Sequence, residues 1–244
     1  MLNLRGNKIT WFGHSAFRID TATGNVVLVD PWLSGNPKAP KDVSFERVDT
    51  ICLTHAHGDH LGDTVALAKK HKCKVVCIYE LSLWLGKKGV ANTCPMSKGG
   101  TQRVNDIEVT MTHAIHSSGI EDGNEIVYAG EPCGYILRLP GGLVIYHAGD
   151  TGIFGDMKLI GELYSPEIAC LPIGDLYTMG PREAAKAIRL LEVKNVIPMH
   201  FGTFPPLTGT PEALREQTQD IAGLTIHALK PGESLAAQKS SIAQ

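Results

Sequence analysis

Four side chains able to bind a divalent metal fall within the six residues from His55 to His60 of the segment Thr54-His55-Ala56-His57-Gly58-Asp59-His60. His55 and His57, two apart in extended chain, point to the same side and can share one cation. Gly58 permits a tight change of direction, after which Asp59 and His60 open a helix and reach toward a second cation. Imidazole nitrogen combined with carboxylate oxygen suits Zn²⁺, with Mn²⁺ and Fe²⁺ as alternatives. Histidines also gather in solvated loops, or cap helices, without binding anything. From this chain's own His and Asp frequencies, about one chain in a thousand would carry H-x-H-x-D-H by accident.

A two-metal site needs about three further ligands, each from a different strand end, and the sequence offers them in order. His116 stands in Thr112-His113-Ala114-Ile115-His116-Ser117-Ser118-Gly119, and Asp150 in His147-Ala148-Gly149-Asp150-Thr151-Gly152. His200 follows Val196-Ile197-Pro198-Met199 and precedes Phe201-Gly202-Thr203. Singly, each reads as an ordinary polar residue at a strand terminus. Together, on the rims of successive strands, they complete a set with His55, His57, Asp59 and His60. His113 is the rival for His116. His14 and His147 are candidates to donate to a leaving group or to orient a ligand, with packing as the plain alternative. Asp30 is a candidate outer acceptor, although a strand-ending Asp-Pro turn also explains it. Arg103, Arg138, Arg182 and Lys98 are candidate anion contacts whose plain reading is surface charge. His71 and His227 read as bystanders.

These residues need strand ends to carry them. Residues 8–11 and 16–20 read as short strands, and a Thr21–Asn25 turn leads into Val26-Val27-Leu28-Val29, which Asp30-Pro31 ends. Thr50–Thr54 is a buried strand and Asp63–Lys72 a helix with its positive charge toward the C-terminus. Lys74–Tyr79, 107–114, 133–139 and 143–148 follow as strands, the last two joined by the hairpin signal Gly141-Gly142. A helix near 155–163 leads to a strand at Ile168–Ile173. Pro181 after Gly180, and Pro211 after Thr210, each start a helix with proline at its first position. Val196–Met199 lies between them, and Leu224–Leu229 is expected to be the last strand, with a frayed tail after Glu233. Runs of strands in both halves with interleaved helices predict two sheets packed face to face and covered by helices, a four-layer αββα sandwich, in one domain spanning residues 1–244.

Composition narrows the classes. A chain of 244 residues buries a core without metal or disulfide staples, so a metal is free to serve chemistry. The net charge of -2 offers no basic excess to neutralise a phosphate backbone, so nucleic acid is not expected as a bulk partner. The six cysteines form no C-x-x-C pair and fit a reducing compartment. Residues Met1–Gly6 lack the apolar stretch of a signal peptide, and no segment reaches the ~18 apolar residues of a membrane span, so the expectation is a cytoplasmic protein without a membrane partner.

The chain resembles the metallo-β-lactamase superfamily, specifically a compact branch of metal-dependent hydrolases similar to ascorbate-6-phosphate lactonase. The likeness runs over residues 7–230. It rests on Gly13-His14-Ser15, Asp30-Pro31, Thr54–His60, His116-Ser117-Ser118, His147–Gly152, Pro172-Ile173-Gly174-Asp175 with Thr178-Met179-Gly180-Pro181, and His200. The resemblance implies the metallo-β-lactamase fold, one metal on His55, His57 and His116, a second on Asp59, His60 and His200, and Asp150 bridging both. It favours His116 over His113, because the two serines that follow match the branch. Two such ions, zinc first among the candidates, could bridge a hydroxide that attacks an ester, lactone, amide or phosphodiester; Asp59 could relay its proton, and His14 and His147 are candidates to assist. A small, anionic substrate is expected by analogy, and self-association is left open. There is no room for the inserted domain of the nuclease branch or the helical domain of glyoxalase II-like enzymes. His57 replaces the glutamate of flavodiiron relatives. The rival readings are a metal-binding regulatory module without turnover, and a nuclease or cyclic-nucleotide phosphodiesterase.

Overall fold

The computed structural model describes residues 2–236. In its first half the chain forms β1 (Lys8–Trp11), β2 (Phe17–Asp20), β3 (Val26–Val29), β4 (Thr50–Cys52), α1 (Gly58–Leu61), α2 (Thr64–His71), β5 (Lys74–Ile78), α3 (Tyr79–Lys87) and β6 (Thr93–Met96). It continues through β7 (Thr101–Val104), β8 (Ile107–His113), β9 (Gly119–Asp122), β10 (Glu125–Tyr128), β11 (Cys133–Arg138) and β12 (Val144–His147). The remainder supplies α4 (Met157–Tyr164), β13 (Ile168–Pro172), α5 (Pro181–Leu191), β14 (Asn195–Met199), α6 (Pro211–Glu216), β15 (Thr225–Ile226) and β16 (Ser234–Ala236).

Two seven-stranded sheets result, ordered β16-β1-β2-β3-β4-β5-β6 and β15-β14-β13-β12-β11-β8-β7. In each, antiparallel strands give way to a parallel run: β3 to β6 in the first sheet and β12 to β15 in the second. The period-2 alternation of the second sheet shows what each face covers. Tyr135, Leu137, Ile145, Cys170 and Ile197 enter the core shared with Val27, Ile51 and Val75 of the first sheet. Their neighbours Ile136, Tyr146, Ala169, Leu171 and Val196 turn the other way, onto Ile160 of α4, Ala184 and Ile188 of α5 and Leu214 of α6. Ala68 of α2 and Leu81 and Leu85 of α3 complete the first core. Strands buried on both faces must be apolar throughout, which is why β3 and β13 read as continuous hydrophobic runs. The αββα sandwich follows.

Both proline-led helices start as expected. Gly180 and Thr210 stand before Pro181 and Pro211, and the Thr210 hydroxyl accepts the Ala213 N–H at 3.1 Å. Other expectations need correction. The strand expected over Leu224–Leu229 shrinks to Thr225–Ile226 at a sheet edge, and it is not the last. The tail expected to fray after Glu233 instead pairs antiparallel with β1, Lys8 opposite Ala236 and Thr10 opposite Ser234; its later part, 237–244, lies outside the described residues. Ser234, Leu235 and Ala236 alternate exposed, half-buried and exposed, but three residues are too few for that alternation to mark a strand in the sequence. Tyr79 starts α3 rather than ending β5. The hairpin β9–β10 was not foreseen, and it pairs with neither large sheet. Among the described residues no helix is long and apolar enough to cross a membrane.

Candidate metal centre

Parallel strands bring their C-terminal ends to one edge of a sheet, and ligand sites form beyond those ends. Asp30 follows β3, the His55–His60 turn follows β4, Asp150 follows β12 and His200 follows β14. Two glycines let these turns approach. Gly149 has φ +64°, and a Cβ there would stand 2.4 Å from the Cys133 carbonyl oxygen. A Cβ on Gly174, after β13, would stand 2.0 Å from the His200 carbonyl oxygen. His14, Asp30 and His200 themselves adopt left-handed φ of 54°, 44° and 54°. That conformation costs a non-glycine residue about 1–2 kcal/mol, and besides these three it is adopted at helix ends such as Lys72, Ser165 and Glu192.

The structure gathers all seven expected ligands. The Asp150 Oδ2 atom lies 2.9 Å from His200 Nε2, 3.2 Å from His60 Nε2 and 3.7 Å from His116 Nε2. His55 Nε2 and His57 Nδ1 are 3.1 Å apart. One ligand atom from each of His55, His57 and His116 falls within 4.8 Å of the others, and the same holds for His14, Asp59, His60 and His200. A tetrahedral ion with bonds of 2.0–2.1 Å spaces its ligand atoms about 3.3–3.4 Å apart, which is the middle of the separations seen around Asp150. Among the cluster residues, the buried Asp150 Oδ1 and His200 Nδ1 have no polar partner in the protein, and His60 Nε2 faces only Asp150 Oδ2 at 3.2 Å. Burying such atoms unpaired is costly, and cations among them would satisfy His60 Nε2 and Asp150 Oδ1. The donor set fits divalent metal.

Outer hydrogen bonds decide which ring nitrogens face inward. The Thr54 hydroxyl lies 2.6 Å from Asp30 Oδ2, and a carboxylate only accepts, so its proton goes to Asp30. The same hydroxyl oxygen, 3.0 Å from His55 Nδ1, must then accept the Nδ1 proton, leaving His55 Nε2 as a lone pair toward the cluster. His60 Nδ1 donates to Asp30 Oδ2 at 2.7 Å, which turns its Nε2 toward Asp150. The Thr54 backbone N–H completes the set at 2.8 Å from Asp30 Oδ1. One fully buried carboxylate thus orients two rings.

His14 enters the second group, where the sequence left it without a place. Its Nε2 donates to Asp59 Oδ2 at 2.9 Å, its Nδ1 accepts from the Thr203 hydroxyl at 2.9 Å, and Trp32 packs edge-on at 5.2 Å. Burial pulls its pKa down to about 4, so it is neutral at pH 7. Burial likewise lowers His55, His57 and His116. His60 moves oppositely: burial disfavours its charge, but Asp150 and Asp30 outweigh that and hold it well above the usual imidazole range. Burial would raise the Asp150 and Asp59 carboxyls, yet the surrounding histidines keep both below theirs.

Other candidates lie apart. His113 is exposed, its ring edge-on to Phe154 and its Nδ1 3.1 Å from Lys98 Nζ. His147 is fully buried against Phe17, and its Nδ1 accepts the Gly149 N–H at 3.2 Å, so it shapes the turn that carries Asp150 and makes no hydrogen bond with the cluster. Lys98 pairs with Glu131, and Arg138 with Glu108. Neither Arg103 nor Arg182 forms an ion pair with a cluster residue among the described residues. Three contributors were assigned no role from the sequence, Thr54, Thr203 and Thr151, although Thr54 and Thr151 stand inside motifs that carry the resemblance. The Thr151 hydroxyl accepts the Ile115 N–H at 2.9 Å and so clamps the His116 loop to the Asp150 turn.

Comparison with known proteins adds to this geometry. The family described as a beta-lactamase superfamily domain matches residues 8–200. The chain is 54% identical over 234 residues to the UPF0173 metal-dependent hydrolase of Koribacter versatilis, covering 96% of this chain and 99% of that one. It is 55% identical over 226 residues to the corresponding protein of Solibacter usitatus, covering 93% and 98%. The solved structure of Igni18, a metallo hydrolase from the hyperthermophilic archaeon Ignicoccus hospitalis, superposes with a TM-score of 0.82 at 34% identity, covering 94% of this chain and 97% of that one.

Proposed function

This chain belongs to the β-lactamase superfamily of metal-dependent hydrolases, and from that premise we propose that it holds two divalent metal ions and hydrolyses an ester, lactone, amide or phosphodiester bond of a small molecule. The supporting observation is the Asp150 carboxylate, whose Oδ2 stands within 3.7 Å of His116 from one histidine group and of His60 and His200 from the other. His55, His57 and His116 would hold one ion, Asp59, His60 and His200 the second, and Asp150 both. Zinc suits this nitrogen-rich set, with manganese or iron as substitutes.

Such a pair of ions, when bound, supplies a nucleophile from water at neutral pH and polarises the scissile carbonyl or phosphoryl. The chain's residues do the rest. Thr54 and Asp30 hold the His55 and His60 rings with Nε2 inward. The Asp59 carboxylate, partly open to solvent, would take a proton from the attacking water and pass it to the departing group. His14 positions that carboxylate through its Nε2–H.

Elemental analysis is expected to find about two metal ions per chain. Asp150→Ala is expected to lose hydrolysis of a phosphodiester and lactone panel by more than the ~10–100-fold that removal of an outer partner costs. A folded, metal-replete protein inert toward esters, lactones, amides and phosphodiesters would overturn the reading.

A further inference from the structure

We propose that the cavity beside His57 and His116 is a subsite for an uncharged, apolar group of the substrate, an alkyl, acyl or aryl arm next to the scissile bond; this rests on the metal-centre reading above. The cavity measures about 580 Å³, within the range of small-molecule sites. Its lining joins His57 and His116 to the apolar side chains of Ile126, Val127, Tyr128 and Pro132, with Ser117, Ser118 and Glu131 as its polar members. A group seated there is therefore contiguous with the candidate ligands.

The hairpin β9–β10 builds the outer wall. Two strands alone are marginal in water, and this pair joins neither large sheet. It is tied down through Asp122, which accepts from Trp84 Nε1 at 2.9 Å and from Lys88 Nζ at 2.8 Å on the α3 side. The chain rejoins the body at Gly130, where φ is +81° and a Cβ would meet Ile78 Cγ2 at 2.7 Å. Held this way, the hairpin leaves Ile126 83% and Tyr128 69% exposed. Large apolar side chains left in water beside a cavity gain free energy when a ligand covers them.

Charge points the same way. No lysine or arginine lines the cavity among the described residues. The nearby cations are already engaged, Lys88 with Asp122 and Lys98 with Glu131. Glu121 and Glu125 stand exposed on the hairpin, and Glu131, which lines the cavity, is paired with Lys98. A lining without a free cation, beside two exposed hairpin carboxylates, disfavours an anionic arm, whether a carboxylate tail or a phosphate chain. This departs from the anionic class that the sequence resemblance suggested.

The test uses full-length protein loaded with Zn²⁺ and three hydroxamates that share a metal-binding head: acetohydroxamate, hexanohydroxamate and succinic monohydroxamate. Binding is read by calorimetry, independently of turnover. The apolar tail is expected to bind about tenfold or more tighter than acetohydroxamate, and the anionic tail no tighter. Ile126→Asp and Tyr128→Ala, both at exposed positions, are expected to cut the tail's gain to about threefold or less while acetohydroxamate affinity and metal content stay at wild type. Equal affinity of the three compounds, preference for the anionic tail, or a tail gain untouched by both variants would overturn the subsite and leave the metal centre standing. Failure of acetohydroxamate itself to bind would remove the metal-centre reading and the subsite with it.

Discussion

Asp30 grips His60 from behind: the buried carboxylate takes the Nδ1 proton at 2.7 Å and so aims the Nε2 atom at Asp150, 3.2 Å away. The same carboxylate receives Thr54, whose hydroxyl fixes His55. Both histidine groups thus depend on a residue that itself need not touch an ion.

Asp30→Asn is therefore expected to weaken metal binding about 10–100-fold, the usual cost of losing an outer partner. Competition against a chromophoric chelator measures it. Wild-type affinity in the variant would show that the two rings are oriented by packing alone.

Metal uptake is expected to release a proton at pH 7. His60 is held above the ordinary imidazole value in the metal-free chain, so it is charged there, and its Nε2 must be deprotonated to bind a cation. The sign follows: release is full below the raised His60 value and fades as pH climbs through it, while affinity falls toward acid. Calorimetry of Zn²⁺ binding in two buffers of different ionisation enthalpy counts the proton. Asp30→Asn, which removes one of the two carboxylates raising His60, should move the fade to lower pH.

His116→Ala and His113→Ala separate the two rival ligands. His116 lies with His55 and His57, whereas His113 faces Lys98 and Phe154. The first variant is expected to lose one metal equivalent by elemental analysis and the second to keep both. The reverse result would require the loop after β8 to rearrange on metal binding.

Tyr135→Phe tests the scaffold without touching the centre. The fully buried hydroxyl on β11 donates to the Leu53 carbonyl at 2.6 Å, just past β4, and so stitches the two sheets. Deleting it leaves a buried acceptor unpaired, a loss of about 1–3 kcal/mol. At about 2–4 °C per kcal/mol for a chain of this size, thermal melting should show a drop of several degrees with metal content unchanged.

Much of this was legible in the residues. The strand runs that are buried on both faces, such as Val26–Val29 and Ile168–Pro172, announce themselves because no polar position interrupts them. Gly-Pro and Thr-Pro mark α5 and α6 for an equally local reason, proline's fixed φ. Edge elements were not legible: β16 has only three residues, too few for its alternation to register, and β10 of the β9–β10 hairpin leaves its apolar Ile126 and Tyr128 exposed, so hydrophobicity there does not report a core. Tyr79 gave no sign that α3 begins directly at the end of β5, because Ile78 caps the helix with backbone geometry alone.

By itself the sequence determined the donor chemistry, since the number and type of nitrogen and oxygen ligands are properties of side chains and their local spacing. Tertiary structure alone brought His14 into the cluster and joined Asp30 to His60, and it set His116 beside His55 and His57 with His113 turned to Lys98, as the serines after His116 had suggested. Those depend on pairs separated by tens to hundreds of residues, such as His14 with Thr203 and Asp150 with His200, whose meeting is set by sheet order and by turns that only glycine permits. A chain read in one dimension holds the candidate ligands; three dimensions choose which nitrogen of each faces the cluster.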